Sequence, residues 1–160
     1  EYTYAQLRRD GFLQAMARHG LPSPPELIVE DVLTIPQGEA AGLTLLDLPE
    51  PPTAILCALD LAALGLYRAA ARAGRRVGHD LAVISYDGIP EAATAEPPLT
   101  TYAVDTRAAG ENLARMLIAR IRGADPETLR ALAPAVLIAR GSDRAPDAIP
   151  DPAGPARQLA

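Results

Sequence analysis

Residues 53–88, TAILCALDLAALGLYRAAARAGRRVGHDLAVISYDG, decide the fold class. Residues 53–58 and 81–85 are short apolar runs, which are typical of strands buried on both faces of a sheet. Between these runs, residues 60–73 are predicted to form a helix with Asp60 as its N-cap and Gly74 as its end. A strand, a helix and a second strand in this order predict the repeating unit of a parallel α/β sheet.

The same alternation continues on both sides of this unit. It predicts further helices over residues 3–19, 38–48 and 105–122, and further strands over residues 27–29, 99–104 and 134–139. The fold class we expect is therefore α/β, an open parallel sheet with helices on both faces. Residues 143–160 contain four prolines and no apolar period, and are expected to form a disordered tail.

Size and composition limit the class of protein. A chain of 160 residues with 49% hydrophobic side chains is the size of one ordinary domain. The net charge is −5, and an acidic balance argues against a nucleic-acid surface in this chain. The sequence shows no apolar run near the roughly 18 residues of a membrane-spanning helix and no export signal, so we expect a cytoplasmic protein.

The motifs of common active sites are absent from the sequence. It contains no glycine-rich phosphate loop, no nucleophile elbow and no paired-histidine metal motif. The single cysteine, Cys57, excludes an intrachain disulfide and a multi-thiolate metal site, and it lies in an apolar run where a thiol is usually inert. We therefore expect no cofactor, no metal and no enzymatic activity, and a catalytic α/β domain is only a remote alternative.

Three charged residues are candidates for ligand binding, because ligands of open α/β sheets bind where strands lead into helices. Asp87 follows a predicted strand, where its carboxylate either accepts paired hydroxyls of a sugar or only supports the Asp-Gly turn. Arg8 lies one helical turn before Phe12, so it either reaches a ligand or is a solvated surface charge. Asp60 is sufficiently explained as a helix cap, with ligand contact as the alternative.

Several segments together resemble the LacI/GalR family of bacterial transcriptional regulators. They occur in the order and spacing of that family over about residues 3–142: RRDGF at 8–12, PTAI at 52–55, RVGHDLAVISYD at 76–87, PPLTT at 97–101 and PAVLIARGS at 134–142. The resemblance implies an effector-binding domain of the periplasmic-binding-protein type, in which two α/β subdomains enclose a small molecule. Residues 1–142 are then a fragment of this domain, mostly its C-terminal subdomain.

The resemblance also implies partners. Residues 99–123 would cross to the first subdomain, which is missing here, and the DNA-binding helix-turn-helix would lie in an absent domain. The effector would be a small molecule, most simply a sugar, and the regulator a homodimer, because a protein two-fold mirrors palindromic operators. The runner-up reading from another class is a sugar-binding component of an uptake system, which shares the fold.

Residue by residue, the resemblance carries ligand contact to two positions. Arg8 matches the family's ligand-contacting arginine, and Asp87 matches its ligand-contacting aspartate. Two positions of the expected ligand site depart from the family: Leu59 replaces a common asparagine beside Asp60, and Gln37 replaces a common aromatic residue that stacks on the ligand. The expected ligand-binding set is thus Arg8, Asp87, Gln37, Leu59 and Asp60.

Overall fold

The computed structural model describes residues 3–144. Their sheet has four strands in the order β1-β2-β3-β4. The first three strands run parallel, and β4 runs antiparallel to β3. The strands are β1 (Ala54–Leu56), β2 (Ala82–Asp87), β3 (Thr100–Ala103) and β4 (Val136–Ile138).

The α/β fold class is confirmed, with one change of direction. Val136 at the start of β4 pairs with Ala103 at the end of β3. The connection between these strands therefore leaves and re-enters the sheet at the same edge, which reverses β4. The carboxyl ends of β2 and β3 lie together at that edge, since Asp87 pairs with Ala103.

Five α-helices lie along the described chain, four of which the sequence predicts to within a few residues. They are α1 (Thr3–Arg18), α2 (Ile35–Leu46), α3 (Asp60–Arg72), the short α4 (Pro90–Thr94), which was not predicted, and α5 (Thr106–Ile121). Asp105 caps α5 as predicted, because its carboxylate accepts the backbone N–H of Ala108 at 2.8 Å.

The predicted strand over residues 27–29 is wrong. Pro25–Leu27 form a 3₁₀ turn, in which Leu27 N–H donates to the Pro24 carbonyl and Ile28 N–H to the Pro25 carbonyl. Consecutive prolines favour this turn because they fix φ and lack an N–H for a ladder. No described strand pairs with the outer edge of β1, where such a strand would add.

The helix expected from residue 38 begins earlier, at Ile35. Thr34 and Gln37 form a capping box, in which the Thr34 hydroxyl accepts Gln37 N–H and the Gln37 side chain accepts Thr34 N–H. The T-x-x-Q spacing carries this signal, and the apolar period alone missed it.

The core is built where α2 meets α3. A Cβ at Gly38 would lie 2.2 Å from the Ala62 carbonyl oxygen, and one at Gly65 would lie 2.2 Å from the Ile35 carbonyl oxygen. The two helices therefore touch through their backbones, which only glycine permits. Buried side chains of α3, among them Ala63 and Leu66, continue this core toward Val83 of β2.

Helix α5 buries none of its residues. Its apolar side chains Leu113, Leu117 and Ile121 are 66%, 62% and 76% exposed. The described residues 3–98 therefore do not cover this face, and the crossing of residues 99–123 to another subdomain stays a prediction. The expected disordered tail lies almost wholly outside the described residues, and no described helix is long and apolar enough to cross a membrane.

Candidate functional site

Asp60 is not the N-cap that the sequence predicts. Leu59 occupies that position, and α3 has no side-chain cap. The Asp60 carboxylate is fully buried and accepts four hydrogen bonds: from the hydroxyls of Ser85 and Thr101, the latter at 2.7 Å, and from the N–H groups of Gly88 and Ile89 at 2.8 and 2.9 Å. A buried carboxylate requires such donors. Asp60 therefore ties α3 to the ends of β2 and β3 and offers no surface to a ligand.

Asp87 ends β2 in a strained backbone conformation. Its φ is +134°, which is rare for a residue with a side chain, and Gly88 follows with φ +77°. A Cβ at Gly88 would lie 2.4 Å from the Ala103 Cβ, so only glycine fits beside β3. This turn directs the half-buried Asp87 carboxylate to the edge of the sheet, where the sequence predicts it.

Arg8 of α1 faces this carboxylate. Its Nη2 lies 3.9 Å from Asp87 Oδ1, and its Nη1 donates to the Ala58 carbonyl, which follows β1. The guanidinium carbon lies 3.7 Å from the centre of the Tyr86 ring and 5.0 Å from that of Tyr4. A cation stacked on aromatic faces is attracted to them and held in one orientation. The structure therefore brings together Arg8 and Asp87, the two residues that the family resemblance matched.

The charge of Asp87 is only partly compensated. Burial raises the pKa of Asp87 above its ordinary value; the Arg8 guanidinium opposes this rise, the Asp60 carboxylate adds to it, and a hydrogen bond from the Asp60 backbone N–H opposes it. At 3.9 Å from Arg8, the pair does not close into a tight, short-range ion pair. Both groups retain hydrogen-bonding capacity for a third molecule.

A cavity of about 450 Å³ opens beside Arg8, and Asp87 is not among its lining residues. Arg8 and Tyr86 stand among its lining residues, and most of the remaining lining is apolar, from Phe12 of α1, Ile55 of β1 and residues 27–33. A volume of this size is typical of small-molecule sites, which combine apolar walls with a few convergent polar groups.

The other two predicted contacts differ from each other. Leu59 lines the cavity, as expected for a site residue. Gln37 does not line it: its side-chain oxygen accepts the N–H groups of Leu33 and Thr34, both at 3.0 Å, so it serves the start of α2. No contact joins Gln37 to Arg8 or Asp87 among the described hydrogen bonds.

Sequence reasoning missed the aromatic component. Tyr86 immediately precedes Asp87 and stacks on Tyr102 of β3, with ring centres 6.3 Å apart. Strand alternation places the two rings on one face because Tyr86 and Tyr102 are register partners. In a chain with 4% aromatic residues, a tyrosine beside a candidate aspartate was an available signal.

Metal chemistry has no basis in the described residues, where no three His, Cys, Asp or Glu side chains lie close enough to hold an ion. Cys57 lines the cavity, but burial raises the pKa of its thiol to about 12, so the thiol stays protonated and unreactive at neutral pH.

Comparisons with known proteins agree on one family. The model of the periplasmic binding protein-like domain matches residues 1–142. The HTH-type transcriptional repressor CytR of Escherichia coli K12 is 36% identical over 145 residues, which cover 91% of this chain and 42% of CytR. The chain thus spans less than half the length of this curated relative.

Solved structures give the same result. A LacI-family regulatory protein from Chloroflexus aggregans superposes with a TM-score of 0.79 at 34% identity, over 86% of this chain and 50% of that one. A LacI-family regulator from Lactobacillus casei with bound sucrose superposes with a TM-score of 0.77 at 26% identity, over 86% of this chain and 51% of that one. The chain therefore belongs to the family of periplasmic-binding-protein-like domains, in the form that occurs in LacI-family transcriptional regulators.

Proposed function

We propose that this chain is the effector-sensing part of a LacI-type transcriptional regulator, and that its effector binds against Arg8 and Asp87. The observation that carries the proposal is the open Arg8–Asp87 pair, 3.9 Å apart, with Arg8 on the wall of an apolar cavity of about 450 Å³. In this proposal the DNA-binding helix-turn-helix belongs to another domain of the regulator. The net charge of −5 agrees with a sensing role rather than DNA contact by these residues.

The chemistry of the pair favours a polyhydroxylated ligand. The Asp87 carboxylate has two acceptor oxygens and Arg8 has a planar set of donors, so together they suit the adjacent hydroxyls of a sugar. The apolar wall around Leu59 and Ile55 suits the C–H face of the same molecule. The sucrose bound by the Lactobacillus casei neighbour supports this ligand class.

Titration calorimetry with sucrose and a panel of mono- and disaccharides tests the proposal on the full chain. For the sugar that binds, Asp87→Ala should weaken affinity by on the order of 2 kcal/mol, the scale of a hydrogen bond to a charged group. Arg8→Ala should have a similar effect. Arg18→Ala is the matched control, because Arg18 lies on the same helix, is exposed and does not line the cavity.

Two outcomes contradict the proposal. If Arg8→Ala and Arg18→Ala behave alike, the guanidinium of Arg8 does not contact the ligand. If Asp87→Ala binds as tightly as the unsubstituted chain, Asp87 only supports its turn.

The pH dependence of binding gives a second test. Protonation of Asp87 replaces one acceptor by a donor and removes the charge, so sugar affinity should fall as the pH falls through the pKa of Asp87. Because burial raises that pKa, the loss should begin at a higher pH than for an ordinary aspartate. An Asp87→Asn variant should lack this acid limb, and an identical pH profile in the variant would exclude Asp87 from the contact.

We further propose that the regulator is a homodimer, as its resemblance to the family implies. The exposed apolar face of α5 supports an interface of some kind, since rows of exposed leucine and isoleucine on one helix face mark interaction surfaces. Light scattering over a range of concentrations tests the assembly, and a chain that remains monomeric at high concentration argues against an intact dimer interface here.

A further inference from the structure

We infer that Asp60 is a positioning residue for the effector site: it holds the turn after β2 so that the Asp87 carboxylate faces Arg8. The inference rests on the proposed function for what Asp87 binds, but its geometry is independent of any ligand. It follows from the four hydrogen bonds of Asp60 and from the backbone conformation of Asp87.

The two oxygens of the Asp60 carboxylate have different partners. Oδ1 of Asp60 accepts the hydroxyls of Ser85 and Thr101, which lie on β2 and β3. These two bonds anchor the carboxylate to the rigid sheet. Oδ2 accepts the N–H groups of Gly88 and Ile89, the two residues that follow Asp87. One carboxylate therefore joins a fixed part of the sheet to the turn.

The backbone of Asp87 is strained. With φ at +134°, Asp87 has a conformation that an unsupported chain rarely populates. Such a conformation persists only where neighbouring contacts hold it. Gly88, the residue directly after Asp87, and Ile89 both donate hydrogen bonds to the Asp60 carboxylate. Hydrogen bonds to a charged acceptor are stronger than those between neutral groups, so these two bonds hold the turn.

The junction of β1 and α3 contacts both parts of the candidate site. Asp60, the first residue of α3, holds the turn that carries Asp87 through its bonds from Gly88 and Ile89. Two residues earlier, the Ala58 carbonyl accepts Arg8 Nη1. The junction of β1 and α3 thus orients both charges of the candidate site, with Asp60 for one and Ala58 for the other.

The test compares Asp60→Asn with Thr101→Val in the full chain. Asp60→Asn keeps the shape of the side chain but weakens its hydrogen bonds with Gly88 and Ile89. Thr101→Val removes one hydrogen bond to Asp60 Oδ1 and leaves the bonds from Gly88 and Ile89 in place. Thr101→Val therefore controls for loss of stability alone.

Three readouts are expected to separate the variants. Amide exchange at Gly88 and Ile89 should accelerate roughly tenfold in Asp60→Asn, the difference between a charged and a neutral acceptor. In a carbon-13 titration the pKa of Asp87 should fall, because its neighbouring negative charge is gone. Sucrose affinity should fall roughly fivefold or more. Thr101→Val should leave the exchange rates and the sucrose affinity within about twofold and the pKa of Asp87 unchanged, even if both variants lower Tm equally.

The outcomes distinguish this inference from the proposed function. If sucrose and related sugars do not bind the unsubstituted chain, the proposed ligand class fails, and the exchange and titration data still decide the role of Asp60. If Asp60→Asn matches Thr101→Val in all three readouts, Asp60 is merely structural. If Asp60→Asn does not fold, scalar couplings across the hydrogen bonds from Gly88 and Ile89 to the Asp60 carboxyl carbon are measured in the unsubstituted chain, and their absence overturns the inference.

Discussion

Helices α3 and α5 have the same kind of pattern in the sequence but differ in how much of each helix is buried in the structure. Both are amphipathic and have a glycine just after their ends, at Gly74 and Gly123. Helix α3 buries seven of its residues, and the longer helix α5 buries none. Periodicity therefore predicts that a helix has an apolar face, and it does not tell whether the partner of that face lies in the same chain.

The composition of the two faces shows which kind of partner each requires. The face of α3 against α2 is made of small residues, such as Ala62, Gly65 and Ala69, which allow α2 to approach to backbone contact. The face of α5 carries the bulky Leu113, Leu117 and Ile121, which need a partner shaped to receive them. Helix α2, the preceding helix in the sequence, covers the small-residue face of α3, and the bulky face of α5 remains exposed.

Truncation of one leucine on each helix should give the largest contrast. Leu66 of α3 is 2% exposed, so Leu66→Ala leaves a cavity and should lower the free energy of unfolding by about 3 kcal/mol. Leu117 of α5 is 62% exposed, and Leu117→Ala should change it by less than about 0.5 kcal/mol in the isolated chain. Urea denaturation at low protein concentration measures both values.

The concentration dependence sharpens this comparison. If Leu117→Ala becomes as costly as Leu66→Ala when the chain is concentrated, the α5 face is covered by another copy. If it is equally costly at every concentration, the face is buried within the chain and the contrast between α3 and α5 is wrong.

Alanine substitution of one glycine in each helix should change the free energy of unfolding by an intermediate amount, with opposite signs for the two helices. Gly65→Ala in α3 brings a Cβ to 2.2 Å from the Ile35 carbonyl oxygen, so α2 and α3 must separate, at a cost of about 2 kcal/mol. Gly110→Ala in α5 meets no atom within 4 Å and should stabilise the chain by up to about 1 kcal/mol through helix propensity.

Thermal unfolding followed by circular dichroism measures both glycine variants. The alanine of Gly65→Ala itself favours a helix, so any decrease in Tm comes from the contact with α2. A decrease in Tm for Gly110→Ala would show that α5 has a close neighbour after all.

The fold could be predicted from the sequence because its signals are local. Apolar runs such as residues 53–58 and 81–85 specify strands, and the cap of Asp105 specifies the start of α5. The strand over residues 27–29 was wrong because strand formation depends on a neighbour, and no described strand pairs with the outer edge of β1. The direction of β4 likewise depends on where a long connection returns to the sheet.

The site was predictable only in part, for the same reason. Arg8 and Asp87 were identified from the family resemblance, and the sheet edge was identified from the strand-helix order. Asp60 was expected to cap α3, because an aspartate before an apolar helix has that role in most local patterns. Its actual partners, Ser85 and Thr101, lie 25 and 41 residues away, and no local signal joins them. Polar residues in an otherwise apolar strand were the one available indication.

The smallest expected contrast concerns two salt bridges, one on each helix. Arg72 of α3 reaches across to Glu39 of α2, with Arg72 Nη1 2.7 Å from Glu39 Oε1, and the Glu39 side chain is only 13% exposed. Arg107 and Glu111 pair along α5 at 3.2 Å, with side chains 90% and 60% exposed. Solvent screens the second pair far more than the first.

Arg72→Gln should therefore lower the free energy of unfolding by about 1 kcal/mol, because it leaves the Glu39 carboxylate poorly hydrated and without its partner. Arg107→Gln should change it by about 0.3 kcal/mol, the usual size of an exposed pair one turn apart. Urea denaturation at low and at 1 M salt checks both, and high salt should remove most of the Arg107 effect while part of the Arg72 effect remains. Equal effects at both salt concentrations would mean that the α2–α3 contact shields its charges no better than the open surface of α5.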